Sequence, residues 1–163
     1  MIGDRWGVTD AETRRHYPCD DFVPDPAWQA WRGVTVDATA DAVWPWIAQL
    51  RLAPYSYDWI DNLGRRSPRE LQGLPDPTVG DPFTATAGRP IGRVLSVEPG
   101  AHLTAKLAGA YMSYALVDAG ESTRLLLKLA ARRGRALGPL IALGDLVMAR
   151  KQLLTLKELA ERG

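Results

Sequence analysis

The amino-acid sequence predicts an α+β fold, a curved antiparallel sheet wrapped around one long C-terminal helix, and three observations predict it. Residues 81–131 carry five strand-like runs separated by short connections rich in Gly and Pro, the punctuation of an antiparallel meander. A long helical pattern follows, from about Leu137 to Glu161. A first strand and two or three short helices come before the meander. A sheet and a helix that each carry an apolar face cover one another, so the two are expected to pack together.

Residues 1–26 contain Pro18, Pro24 and Pro26 and read as an irregular arm, with a short helix near Asp10–Tyr17 that Thr9 or Asp10 would cap. Trp28–Asp37 reads as the first strand, with β-formers Trp31, Val34 and Val36 and a bulge at Gly33. Thr39 then caps a helix to about Leu50, in which Val43, Trp46, Ile47 and Leu50 share one face and Pro45 introduces a kink. A second short helix is expected over Tyr57–Leu63, stopped by Gly64. Ser67-Pro68-Arg69-Glu70 has the form of a capping box and predicts another helix start. The meander strands are Pro82–Ala87, Ile91–Val97, His102–Ala108, Tyr111–Val117 and Thr123–Ala131. In the last helix Leu146, Ala149, Leu153, Leu156 and Ala160 recur at spacings of three and four, which gives one buried stripe. No repeat or low-complexity linker interrupts the chain, so one domain is expected over residues 1–163.

Composition narrows the function. A formal net charge of +1 makes no field that would favour nucleic acid or an anionic membrane as partner. Cys19 is the single cysteine, which excludes an internal disulfide and a multi-cysteine metal site. The N-terminus lacks the apolar run of a signal peptide, and no stretch reaches the roughly 20 apolar residues of a membrane span, so a cytoplasmic protein without stable membrane insertion is expected. There is no Gly-rich phosphate loop, His-Glu-x-x-His helix or Gly-x-Ser-x-Gly elbow. Neither a metal nor a cofactor is expected.

Three stretches carry a resemblance. They are Val34-Thr-Val-Asp-Ala-Thr-Ala-Asp-Ala-Val-Trp44-Pro45-Trp46-Ile47, Tyr55-Ser-Tyr57-Asp58-Trp59-Ile-Asp61-Asn62-Leu-Gly64, and Arg150-Lys-Gln-Leu-Leu-Thr-Leu-Lys157-Glu-Leu-Ala-Glu161. They resemble the first strand and helix start, a Tyr-Ser-Tyr-Asp-Trp signature, and the last helix of a bacterial subgroup of the SRPBCC superfamily. That superfamily includes START lipid-transfer domains, the birch-pollen allergen family and aromatic polyketide cyclases. The resemblance implies a helix-grip fold with a hydrophobic cavity between the sheet and the long helix. It thereby implies binding of a lipid, polyketide or similar metabolite there, or, as the alternative, a cyclase- or dehydratase-like enzyme in the same cavity.

Candidate ligand contacts follow. Tyr55, Tyr57 and Trp59 would meet an apolar ligand at the cavity mouth while Asn62 or Arg66 orients a polar group; the competing reading makes the aromatics core and pairs Asp58 or Asp61 with Arg65 or Arg66. Tyr111 and Tyr114 point to opposite faces of one strand, and Tyr114 shares its face with Met112 and Leu116, so Tyr114 and Met112 are expected inside. The apolar start of the last helix, with Leu140, Leu143, Gly144 and Val147, would form a cavity wall, deep core or a dimer surface. His102, Thr104, Lys106, Arg124 and Lys128 alternate with apolar neighbours and are expected to face solvent. Arg93 lies in phase with Ile91, Leu95 and Val97 and is expected as a buried cation. If the chain is an enzyme, Tyr57, Asp58, Arg93 and Tyr114 are the catalytic candidates. Arg132, Arg133 and Arg135 form a basic cluster, read as a solvated loop or a contact for a carrier protein.

Overall fold

Period-two alternation along the strands sorts their side chains onto two faces, and both faces turn out to be covered. The chain is described by a computed structural model over residues 4–55, 63–132 and 138–162, with the backbone alone for 138–147. Its elements are β1 (Arg5–Trp6), α1 (Asp10–Arg14), a 3-10 turn (Pro18–Asp21), β2 (Trp28–Val36), α2 (Ala40–Ala48), a second 3-10 turn (Gln49–Arg51), β3 (Thr84–Thr86), β4 (Arg89–Ile91), β5 (Arg93–Glu98), β6 (His102–Leu107), β7 (Ala110–Ala119), β8 (Ser122–Ala131) and α3 (Gly138–Arg162). Six strands form one curved sheet in the order β1-β2-β8-β7-β6-β5, antiparallel except for β1 beside β2, and β3 and β4 form a separate two-stranded ribbon. The sheet grips α3, the helix-grip arrangement.

The inner face is built from residues that oppose one another across the ladders: Ala30 and Leu129, Val34 and Leu125, Met112 and Leu129, Tyr114 and Leu127, Leu103 and Tyr114. Against them pack Leu153, Leu156, Leu159 and Ala160 of α3, and Val43, Trp46, Ile47 and Leu50 of the α2 region. Each fully buried leucine or isoleucine contributes roughly 1.5–3 kcal/mol by removal from water. The end of α3 is clasped to β2 by polar contacts: Lys157 donates to the Thr35 carbonyl at 2.8 Å, and Glu161 accepts from the Asp37 N–H at 2.8 Å.

The outer face carries a second core, and residues 4–23 cover it. Tyr17, Cys19 and Val23 pack on Trp31, Tyr111, Ala115, Leu126 and Ala130. Several polar groups beneath are matched by partners on the arm. Cys19 N–H donates to Ser113 Oγ at 2.8 Å, and Ser113 Oγ stands 2.7 Å from Thr104 Oγ1. Lys128 pairs with Asp20 and lies over the rings of Trp31 and Tyr17. Arg124 holds Glu12 through two bonds of 2.8 Å and donates to the Gly7 carbonyl. The solvent-facing assignment of the alternating polar residues is therefore corrected in part. Thr104 is fully buried and Lys128 is 6% exposed, because the arm crosses them, whereas Lys106 stays exposed.

Gly33 is not a bulge, since β2 keeps continuous register with β8 from Trp28 to Val36. A Cβ there would meet Arg124 and Val8 side-chain atoms at 2.9 and 3.0 Å, so its small size lets the arm approach. The expected strand Ile91–Val97 is broken at Gly92, whose φ of 72° suits glycine and whose neighbours Lys106 O and Phe83 Cβ leave no room for a Cβ. β4 thereby leaves the sheet to pair with β3. A register shift between Val94 and Ser96 then reverses the facing of the residues before it, so Val94 and Val97 both face inward and Arg93, opposite Lys106, is exposed on the outer side. The buried cation of the inner face is instead Arg32, opposite Leu127 and fully buried, which donates to the carbonyls of Trp31 and Asp4. Residues 67–70 form no helix. The Glu70 carbonyl and Gln72 N–H are bound by the buried Gln49 side chain, at 2.8 and 2.9 Å. The expected helix over Tyr57–Leu63 lies, but for Leu63, outside the described residues.

Arg124 holds the Glu12 carboxyl below the ordinary glutamate range, against a smaller upward push from burial. A lowered folded-state value means that this stabilisation is present above about pH 4.3 and lost as the pH falls through the folded-state value. Glu12→Gln is expected to lower stability by about 1–2 kcal/mol at pH 7, with the gap to wild type closing in acid. Urea unfolding curves at pH 7 and pH 3.5 check it; a gap that does not narrow in acid would count against the Glu12–Arg124 clasp.

Candidate functional site

The inner face is not filled along its whole length. Between the sheet, the β3–β4 ribbon and α3 lies a cavity of about 250 Å³. The ribbon contributes Phe83, Thr84, Thr86 and Ile91, with Thr84 directly opposite Ile91. The sheet contributes Leu107, Met112, Tyr114, Leu127 and Leu129, and α3 contributes Met148, Ala149 and Gln152, with Pro54 at one end. Aliphatic and aromatic groups dominate, and no Asp, Glu, Lys, Arg or His stands among the described lining residues.

The polar groups of the wall are few. Tyr114 donates its hydroxyl to Gln152 Oε1 at 2.6 Å, and Gln152 Nε2 donates to the Pro54 carbonyl at 2.7 Å. This relay ties β7 to α3 and to the chain leaving the α2 region, and it supplies the partner that a buried phenol requires. Phe83 leans on the Tyr114 ring at 6.0 Å, which fixes the ribbon against the sheet. Thr84 is 4% exposed, and its hydroxyl has no hydrogen-bond partner among the described residues.

Beside the cavity, Gln49 organises the segment that follows α2. Its Nε2 donates to Tyr55 Oη and to the Glu70 carbonyl, both at 2.8 Å, while its Oε1 accepts from Gln72 N–H. Trp44 Nε1 donates to Asp76 at 2.8 Å, and Arg51 reaches the Pro75 carbonyl, which fastens the same irregular segment further along.

Of the residues singled out in the sequence, Met112 and Tyr114 stand in the cavity wall. Tyr55 is fully buried but lies outside the lining, edge-on to Trp46 at 6.3 Å and bonded to Gln49. Arg66 is exposed and outside the cavity lining, and Arg93 faces away on the outer side. Tyr57, Asp58, Trp59 and Asn62 lie outside the described residues. Leu140, Leu143, Gly144 and Val147 fall on α3, and their side chains lie outside the described set. Arg132 of the basic cluster donates to the Phe22 carbonyl at 2.8 Å and lies over Tyr111, while Arg133 and Arg135 are not among the described residues. Phe83, Thr84, Met148 and Gln152 escaped the sequence reading. The signal for Gln152 was present, since it follows Ala149 by one helical turn and precedes Leu153 on the buried stripe.

Among the described residues no group of His, Cys, Asp and Glu is placed to hold a metal ion, and no helix is long and apolar enough to cross a membrane. No protein-family model and no curated protein sequence matches the chain. Solved structures do. A Thermobifida fusca protein determined in solution aligns with a TM-score of 0.56 at 18% identity, covering 82% of this chain and 93% of that one. SSP2350 of Staphylococcus saprophyticus gives 0.56 at 11% identity over 80% and 89% of the two chains. MLL2253 of Mesorhizobium loti gives 0.54 at 17% identity over 83% and 98%. The likeness is one of fold.

Gln49→Ala strips partners from a buried phenol and two backbone groups, and is expected to lower stability by about 2–3 kcal/mol. New cleavage sites should fall within residues 63–81. Limited proteolysis with mass-spectrometric mapping checks this; cuts spread over the sheet would contradict a local role.

Proposed function

We propose that the chain is a cytoplasmic binding protein of SRPBCC type that encloses a hydrophobic small molecule, a lipid, polyketide or similar metabolite, between its sheet and α3. The observation that carries this reading is the apolar cavity itself, walled from three sides and free of charged side chains among its described lining residues. Such a wall stabilises an apolar guest by removing it from water, and it offers orientation through a small number of polar groups. The resemblance of the Tyr55–Gly64 stretch and of the last helix to that superfamily supports the same reading.

An enzyme acting in the same cavity is the second reading, favoured by one observation, the Tyr114 hydroxyl in the wall. It is weakened by the outward position of Arg93 and by the lack of a carboxylate or imidazole among the described lining residues, groups that proton transfer near neutral pH ordinarily uses.

Native mass spectrometry of the purified protein, followed by organic extraction, tests the proposal. An apolar metabolite carried at about one per chain is the expected result. A clean unliganded mass, together with no saturable uptake of an environment-sensitive fluorescent probe, would overturn the binding reading.

A further inference from the structure

On the outer face of the sheet, charge is balanced where the arm lies and unbalanced just past it. Beneath the arm, Arg124 is matched by Glu12 and Lys128 by Asp20. Near the arm's end, Phe22 stacks on Tyr111 with ring centres 6.3 Å apart. Next to that contact, Arg93, Lys106 and Tyr111 stand in register across β5, β6 and β7, and both cations are exposed. Lys106 Nζ lies 5.2 Å from the centre of the Tyr111 ring. The exposed guanidinium of Arg132 lies 5.6 Å from the same centre. Among the described residues no carboxylate pairs with any of the three cations: Asp20 is taken by Lys128, and Asp21 lies 3.3 Å from His16.

Such an arrangement is unfavourable for the protein by itself. Like charges directly opposite one another on neighbouring strands repel, and Arg93 and Lys106 are such a pair. The Tyr111 ring offsets part of the charge of Lys106 and Arg132. It offers nothing to Arg93, which lies outside these ring contacts. An anion seated between the cations would turn that repulsion into attraction.

We propose that Arg93, Lys106 and Arg132 form a surface site for a phosphate monoester, on the face of the sheet opposite to the cavity. A phosphate monoester carries close to two negative charges near neutral pH and three acceptor oxygens, so it answers several cations at once. Guanidinium groups grip such oxygens through paired N–H donors, and an ammonium adds a point charge. Arg132 spends one donor on the Phe22 carbonyl, at 2.8 Å, and keeps the rest of its fork for a ligand. A carboxylate, with a single charge, would leave more of the cluster unmatched. The site stands apart from the cavity and does not depend on what the cavity holds.

The test follows melting of wild type, Arg93→Gln, Lys106→Gln and a control, Arg162→Gln, at pH 7 in sodium phosphate and in sodium chloride of equal ionic strength. Arg162 is a suitable control because it is exposed and paired with Glu158 on α3. Phosphate at roughly ten times its dissociation constant should raise the melting temperature of wild type and control by about 3–5 °C over chloride. Arg93→Gln and Lys106→Gln should each bind phosphate roughly tenfold more weakly and lose most of that gain. Since removing Arg93 relieves the like-charge pair, Arg93→Gln should melt about 1–3 °C above wild type in dilute chloride. Backbone amide shifts of wild type in phosphate should centre on Arg93, Lys106, Tyr111 and Arg132. Retention on phosphatidylcholine vesicles that contain phosphatidic acid, and not on phosphatidylcholine alone, assigns the phosphate to a lipid headgroup. Phosphate binding without such retention assigns it to a soluble monoester. A gain in melting shared equally by all four proteins is the general effect of phosphate on burial and overturns the site. So do amide shifts centred elsewhere, or an Arg93→Gln variant that melts below wild type in dilute chloride. The shift map stands even if a variant fails to fold.

Discussion

A sheet with buried side chains on both faces has to be covered twice, and that requirement organises this molecule. On the inner side α2 and α3 supply the cover through leucines, isoleucine, valine and tryptophan. On the outer side residues 4–23 do so, with Tyr17, Cys19 and Val23 set among matched charges and hydroxyls. The two covers follow different physics. The inner one is largely non-directional burial. The outer one depends on Glu12, Asp20 and the Cys19 N–H meeting Arg124, Lys128 and Ser113, so its geometry is fixed by hydrogen bonds that leave little room for slippage.

The cavity arises where the inner cover stops short. A chain that continued as one strand from Ile91 to Val97 would extend the sheet and leave no separate ribbon to enclose space. Gly92 ends that continuity, turning β4 towards β3 and placing Thr84 and Ile91 opposite the leucines of β8 across the gap. The wall on that side is thus a consequence of one backbone conformation. The Tyr114–Gln152–Pro54 relay bounds the gap from another side, joining sheet, helix and the chain after α2.

What the sequence disclosed follows from the range of the interactions concerned. The buried face of α2, the stripe of α3 from Ala149 onward and the order of the strands from β5 to β8 were legible because they depend on side-chain periodicity within a few residues. The alternation Tyr111-Met112-Ser113-Tyr114 likewise gives the facing of Met112 and Tyr114. Contacts between distant segments were not legible. Nothing near Lys128 announces that Asp20 will cover it, so polar alternation read as a solvent face. The capping-box pattern at Ser67 was overridden by Gln49, a side chain from another element that takes the backbone groups a helix would have used. Arg93 was assigned inward by simple parity, which the β5 irregularity overturns. The same parity, applied to β2, puts Arg32 on the inner face with Ala30 and Val34, where it is found.

The outer cover has a bearing on how the chain acquires its structure. Asp20 and Lys128 are separated by 108 positions, and Glu12 and Arg124 by 112. The arm precedes in synthesis nearly everything it packs against, since its docking surface is made chiefly of β7 and β8. It must therefore wait, with Tyr17, Val23 and Phe22 in water, until the hairpin of β7 and β8 has formed. Closing so long a loop carries a large entropic cost before any contact offsets it, which places arm docking among the late events of folding and makes the interval before it the one most open to misassociation.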